Sequence, residues 1–265
     1  MPPVSIVTNR QWVVAARPDG PPRPGDFECR EVPLRALRDG EMLLETLYLS
    51  LAPVMAMYMS GKPIAGRPPL DIGDVIHGRG VARVLESRNG RFQAGDIVHG
   101  QIGWQTYRIT DAPPEDRFYR FTAADLPVHL ALGALGMTGF SAYCGFVDVG
   151  QPRPGRPVLI SGAAGGVGHL VVQIAKAVGC DPVIGIAGGT EKCRFVEELG
   201  CDHSIDYRSD DVRARIAELC PDGVDLYFDN VGGEILEAAL DNLGDYARIV
   251  LCGSISEYTR AEPFG

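Results

Sequence analysis

The run PVLISGAAGGVGHLVVQIAKAVGC (157–180) decides the fold. It opens with a short apolar strand, PVLIS (157–161), and turns at once into glycines: Gly162, Gly165 and Gly168, spaced G-x-x-G-x-x-G. Val167, Leu170, Val171, Ile174 and Val178 then fall on one helical face until Gly179 closes the helix. Glycine at such a turn lets the backbone approach a pyrophosphate, whose charge is stabilised by free N–H groups and the dipole at the helix start. A glycine pattern alone is weak evidence, because many turns need glycine for steric reasons. Strand before, amphipathic helix after and a further strand following make it the first βαβ unit of a dinucleotide-binding sheet.

The next strand, PVIGIA (182–187), ends where an acid would read the ribose hydroxyls of NAD, and the residues there are Ala187, Gly188 and Gly189. Thr190 is the expected N-cap of a helix running to Leu199 and stopping at Gly200. With no carboxylate to repel a 2′-phosphate, and with Lys192 and Arg194 on the following turn to attract one, the site is expected to take NADP. The alternative gives the ribose to Glu191 and leaves Lys192 in solvent.

Further strands, VDLYF (224–228) and ARIVLC (247–252), alternate with helices, so residues 126–265 predict a doubly wound parallel sheet. Upstream the texture differs. EMLLETLYLSL (41–51), VIHGRGVARVLES (75–87) and DIVHGQIGWQTYRIT (96–110) are strand-like runs, RPDGPPRPG (17–25) is a loop, and residues 1–125 form a β-rich domain. LPVHLALGALGMTGFSAYCGF (126–146) reads as an apolar helical linker.

Composition narrows the function. A net charge of −9 argues against nucleic acid as a partner, and no apolar run is long enough to cross a bilayer. Seven cysteines without a C-x-x-C pair, and no leader-like N-terminus, point to reduced thiols in the cytoplasm. The five histidines (His77, His99, His129, His169, His203) have no cysteine or acid at ligand spacing, so no metal is expected and loop or surface positions are expected for all five.

The ordered motifs NRQ (9–11), LYLSLAP (47–53), GDIVHGQIGWQTY (95–107), GMTGFSAY (136–143), SGAAGGVG (161–168), AGGTEKCRF (187–195), IDYRS (205–209), YFDNVGGE (227–234) and LCGSISEY (251–258) cover nearly the whole chain. In them the chain resembles the zinc-independent medium-chain dehydrogenase/reductases of the leukotriene B4 12-hydroxydehydrogenase/prostaglandin reductase type. The resemblance implies a GroES-like β-rich domain followed by a Rossmann-type doubly wound parallel sheet, here lacking the last strand and the C-terminal return.

It also implies site residues. Gly165, Gly166, Val167 and Gly168 would wrap the pyrophosphate, and Lys192 and Tyr207 would hold the 2′-phosphate. Asn230, the run Cys252, Gly253, Ser254, Ile255, Ser256 to Tyr258, and the turn at Met137 and Thr138 would line the nicotinamide side. Tyr258 is the candidate catalytic residue, either donating to an enolate oxygen or positioning the nicotinamide ribose.

The implied reaction is metal-free hydride transfer from NADPH to the β-carbon of an α,β-unsaturated ketone or aldehyde, where charge spreads over an enolate. A quinone reductase, or an NADP-binding remnant unable to close an active site, is the alternative. Two departures from the family stand out. Ala52, Val54 and Ala56 occupy positions where relatives have D-P-Y-M-R, which bears on substrate choice. The chain also stops after SISEY (254–258) and seven more residues, which would expose the edge where relatives pair subunits, so the expected homodimer is in doubt.

Overall fold

The computed structural model describes residues 8–64, 68–123 and 125–260, so the outer limits drawn for the two domains, 1 and 265, lie outside it. The chain divides into two compact units, the first ending at Leu132 and the second starting at Gly133.

In the first unit β1 (Thr8–Val14) and β2 (Phe27–Pro33) form an antiparallel hairpin across the proline-rich loop. These two strands carry no clean alternation of apolar and polar residues, since β2 is almost entirely exposed, and the sequence reading passed over them. The strand-like runs resolve into β3 (Met42–Leu49), the short helix α1 (Val54–Met59), β4 (Arg79–Ser87), β5 (Ile97–Gln101) and β6 (Tyr107–Thr110), with β7 (Tyr119–Arg120) added at one edge. Their antiparallel order is β6-β3-β4-β5-β7. Met42, Leu44, Ala82, Val84, Val98 and Phe118 fill its core.

The region read as one helical linker is three pieces. A 3-10 turn at Val128–Leu132 packs on β4 and β5 of the first unit, which moves the division past 125. The chain then turns at Gly133 and Gly136, where Gly136 N–H donates to Gly133 O, and enters α2 (Met137–Tyr143). A π-helical stretch, Cys144–Gly150, continues it.

In the second unit β8 (Val158–Ile160), α3 (Gly168–Val178), β9 (Val183–Ala187), α4 (Thr190–Glu198), β10 (His203–Asp206), α5 (Val212–Leu219), β11 (Val224–Asp229), α6 (Gly233–Leu240) and β12 (Leu243–Leu251) alternate as expected. All strands run parallel in the order β10-β9-β8-β11-β12. Val171, Val172 and Ala175 of α3 are fully buried against Val158, Ile160, Leu226 and Phe228. Each Val or Leu so removed from water stabilises the unit by about 1.5–3 kcal/mol.

Register aligns the strand ends. Ile160 lies beside Gly185 and Phe228, and Phe228 beside Val250, so the segments after β8, β9, β11 and β12 leave the sheet at one edge. Chain order reverses between β8 and β11, and a crevice at the carboxyl ends beside such a reversal is where doubly wound sheets bind ligands. No described helix is long and apolar enough to cross a membrane.

Candidate cofactor site

The loop after β8 is closed so tightly that side chains are excluded. A Cβ on Gly168 would stand 2.2 Å from Gly162 O and 2.8 Å from Ala163 Cα, and one on Gly165 3.0 Å from Gly162 O. Gly165 N–H is spent on Gly162 O at 2.8 Å, while the N–H groups of Gly166, Val167 and Gly168 make no hydrogen bond among the described residues. They point the start of α3 outward without a side-chain cap, which is what an anionic group requires.

The helix starts of this unit differ in a way that locates charge. α3 and α4 have no side-chain cap. α5 is capped by Asp211, whose Oδ1 accepts from Ala214 N–H at 3.1 Å. The approach to α6 is taken by Asp229, which accepts from Val231 N–H at 2.9 Å and Gly232 N–H at 3.1 Å. Among the described helices of this unit only α5 has a side-chain cap; the starts of α2, α3, α4 and α6 have none, and Asp229 serves the turn before α6.

At α4 the expected N-cap is displaced by one residue. Gly189 caps, Thr190 is already helical, and the helix ends at Glu198, with Leu199 as its C-cap before Gly200 at φ +116°. The absence of an acid after β9 has a packing cause. A Cβ on Gly188 would meet the Tyr207 ring at 2.7–2.8 Å, so any side chain there would displace that ring.

An acid is nonetheless close by. Asp206, at the end of β10, accepts from Gly189 N–H at 2.8 Å and from Arg208 N–H at 3.1 Å. Those two backbone donors hold its carboxyl below the ordinary carboxylate range. The expectation of no opposing acid is thus corrected: carboxylates are present, and one oxygen of each accepts from backbone donors. Asp210, on the cavity wall, likewise accepts from Asp206 N–H at 2.9 Å.

A second network joins the phosphate loop to the loop after β11. The Asp229 carboxylate, 1% exposed, accepts from Ser161 Oγ and Tyr227 OH, both at 2.7 Å. Ser161 Oγ in turn accepts from Asn230 N–H at 2.8 Å, and Asn230 Nδ2 donates to Ser161 O at 2.8 Å. Burial first, and the Asp229 charge second, push the Tyr227 phenol far above its usual value, so it stays a donor. The segment after β12 is stitched to the same place. Cys252 N–H donates to Asp229 O at 2.8 Å, Ile255 N–H to Asn230 O at 3.2 Å, and Ser256 N–H and Oγ to Val231 O at 3.1 and 2.6 Å.

These segments enclose a cavity of about 900 Å³, whose wall includes Gly162, Gly165, Gly188, Lys192, Tyr207, Val231, Ile255 and Ser256. Of the residues singled out in the sequence, Gly165, Lys192, Tyr207, Ile255 and Ser256 meet there. Gly166, Val167 and Gly168 adjoin it as the start of α3, and Thr138 comes within 3.5 Å of where a Cβ on Gly166 would lie. Asn230 lies behind the wall as the bridge to Ser161. Cys252, Gly253, Ser254 and Tyr258 flank it, the Tyr258 OH standing 3.1 Å from a Cβ position on Gly253. Met137, at the start of α2, and Arg194, on α4, are not on its wall.

Ser161, Asp229, Asp206 and Asp211 were missed by sequence reasoning. Only Asp211, a cap residue before an amphipathic helix, carried a local signal.

Among the described residues no three His, Cys, Asp or Glu side chains converge to hold a metal ion. One histidine departs from the expected loop or surface positions: His99 is half-buried on β5 beside the Tyr119 ring, whereas His169, on the exposed side of α3, has Nδ1 2.8 Å from Gly165 O.

Comparison with known proteins places this geometry. Residues 10–116 match a family described as the N-terminal domain of oxidoreductase, and residues 166–264 one described as zinc-binding dehydrogenase. The chain is 43% identical to the NADPH-dependent curcumin reductase of Escherichia coli (strain K12), over 96% of this chain and 72% of that protein. It is 38% identical to the NADP(+)-dependent 2-alkenal reductase of Nicotiana tabacum, over 98% of this chain and 76% of that one. Among solved structures it superposes on CurA from Vibrio vulnificus in complex with NADPH with a TM-score of 0.88 and 40% identity, covering 97% of this chain and 75% of that one.

Proposed function

The chain belongs to the medium-chain dehydrogenase/reductase family, on its zinc-independent enone-reductase side, and on that premise we propose that it reduces the activated C=C bond of α,β-unsaturated ketones and aldehydes. It is an NADP-dependent oxidoreductase. The observation that carries the reading is the start of α3, which has no side-chain cap and whose Gly166, Val167 and Gly168 N–H groups make no hydrogen bond among the described residues. The glycine cradle, too tight for any Cβ, fits the pyrophosphate of such a cofactor.

When bound, NADPH supplies the hydride. The chain's own residues bind and orient. Gly166, Val167 and Gly168 offer their N–H groups to the pyrophosphate. Lys192 and the Tyr207 hydroxyl hold the 2′-phosphate, where the Gly188–Gly189 turn leaves room. Asn230, Cys252 to Ser256 and the Met137–Thr138 turn border the nicotinamide side. Ser161 and Asp229 fix the distance between the loops on either side of the strand-order reversal. Tyr258, whose hydroxyl stands 3.1 Å from a Cβ position on Gly253, positions the nicotinamide ribose or donates to a developing enolate oxygen. We place the protein in the cytoplasm, in keeping with seven unpaired cysteines.

Following NADPH absorbance with an enone, with a quinone and with neither tests the proposal. The expected result is NADPH consumption with the enone and a product saturated at the C=C bond. Turnover of the quinone alone would make it a quinone reductase, and tight NADPH binding without turnover of either would leave a binding protein.

A further inference from the structure

We propose that Arg208 is a second cation for the 2′-phosphate and a determinant of the preference for NADPH over NADH; the inference rests on the NADPH reading above. β10 ends at Asp206, and the carboxylate there is a clamp rather than a ligand. One oxygen accepts from Gly189 N–H at 2.8 Å and from Arg208 N–H at 3.1 Å, which fastens the turn after β10 to the turn after β9. Gly189 is in the left-handed region at φ +93°, and a Cβ placed on it would stand 3.6 Å from Arg208 Nη1. The guanidinium is therefore held beside the residue that leads into α4. It lies 6.0 Å from the centroid of the Tyr207 ring, which borders the cavity together with Lys192. Arg208 itself is outside the cavity wall, at its rim.

What separates Arg208 from an ordinary solvated arginine is how its neighbours are engaged. Arg213 pairs with Asp241 at 2.8 Å, Arg215 with Glu218, and Lys176 with Asp202 at 2.8 Å. Arg208 is exposed and makes no salt bridge among the described residues. Of the two acids two residues away, Asp206 feels its charge but spends an oxygen on the two backbone N–H groups, and Asp210 accepts from Asp206 N–H and Ser209 Oγ. Two cations, Lys192 and Arg208, thus flank the uncapped start of α4, whose Thr190, Glu191 and Lys192 N–H groups make no hydrogen bond among the described residues. A dianionic phosphate monoester is the ligand that uses a guanidinium fork, an ammonium and open helix N–H groups together.

The test is equilibrium binding of NADPH, NADH, adenosine 2′,5′-bisphosphate and AMP to the wild type, Arg208→Ala and Arg208→Lys, at low and high salt. Arg208→Ala is expected to weaken NADPH and the bisphosphate about tenfold while leaving NADH and AMP within about twofold, and Arg208→Lys to recover part of the loss. The loss is expected to shrink as salt rises. An Arg208→Ala protein that loses NADPH and NADH equally, or neither, overturns the role of Arg208 while the wild-type preference stands. A wild type that binds both dinucleotides equally overturns the NADPH reading as well.

Discussion

Asp229 shows how a single side chain can govern a site it never lines. Its carboxylate is nearly inaccessible, makes no salt bridge among the described residues, and is stabilised by two hydroxyls and two backbone N–H groups at the approach to α6. Asp229→Asn keeps the shape but removes the charge on which both hydroxyls and both N–H groups converge through Oδ1, and turns an amide donor toward Gly232 N–H in place of Oδ2. The expected outcome is a loss of about 2–3 kcal/mol in stability, read from denaturant unfolding, with weaker NADPH binding. Unfolding and affinity equal to wild type would remove Asp229 from the account. This residue was not legible in the sequence, because its partner Ser161 lies 68 positions away and nothing local marks the pair. Lys192 and the empty acid position were legible, because they sit at a fixed spacing after a recognisable glycine turn. Why that position is empty was not, since the Tyr207 ring that excludes a side chain comes from the next strand.

Elements were readable in proportion to their periodicity. The four strands of the second unit with apolar runs, β8, β9, β11 and β12, were found, whereas β10 (His203–Asp206), short and polar at both ends, was not. β1 and β2 were missed because their exposed faces break the alternation, and the linker was over-read because apolar content alone does not separate a helix from 3-10 and π turns. Packing of α4 against the sheet has a pH consequence. Burial, with the Asp202 and Glu197 charges adding, pushes the Cys201 thiol from 9.0 up to about 12, and burial raises Cys220 to about 11. Both folded values lie above those of an unfolded chain. The neutral thiols therefore contribute stability that is fully present below about pH 9 and is lost as pH rises toward the folded values. At about pH 10.5 Cys201 alone is expected to cost about 2 kcal/mol relative to neutral pH. Melting profiles from pH 8 to about 10.5 should fall less steeply for Cys201→Ala than for wild type; parallel slopes would contradict the assignment.

At the scale of the molecule, two units of different architecture follow one another, and the second alone holds the features argued to bind cofactor. Its parallel doubly wound sheet was implied by alternating strands and helices, while the strand order came only with the fold, and the reversal between β8 and β11 sets which loops meet. The pairing that fixes the width of this crevice, Ser161 and Asn230 across the reversal, emerges only when the chain is folded. The central claim is that two open helix starts receive the two phosphate positions of NADPH. A crystal structure of the protein soaked with NADPH tests it most directly. The account predicts the pyrophosphate against the N–H groups of Gly166, Val167 and Gly168, and the 2′-phosphate at the start of α4 within reach of Lys192. Density placing either phosphate elsewhere, or no cofactor along residues 165–168, would contradict it.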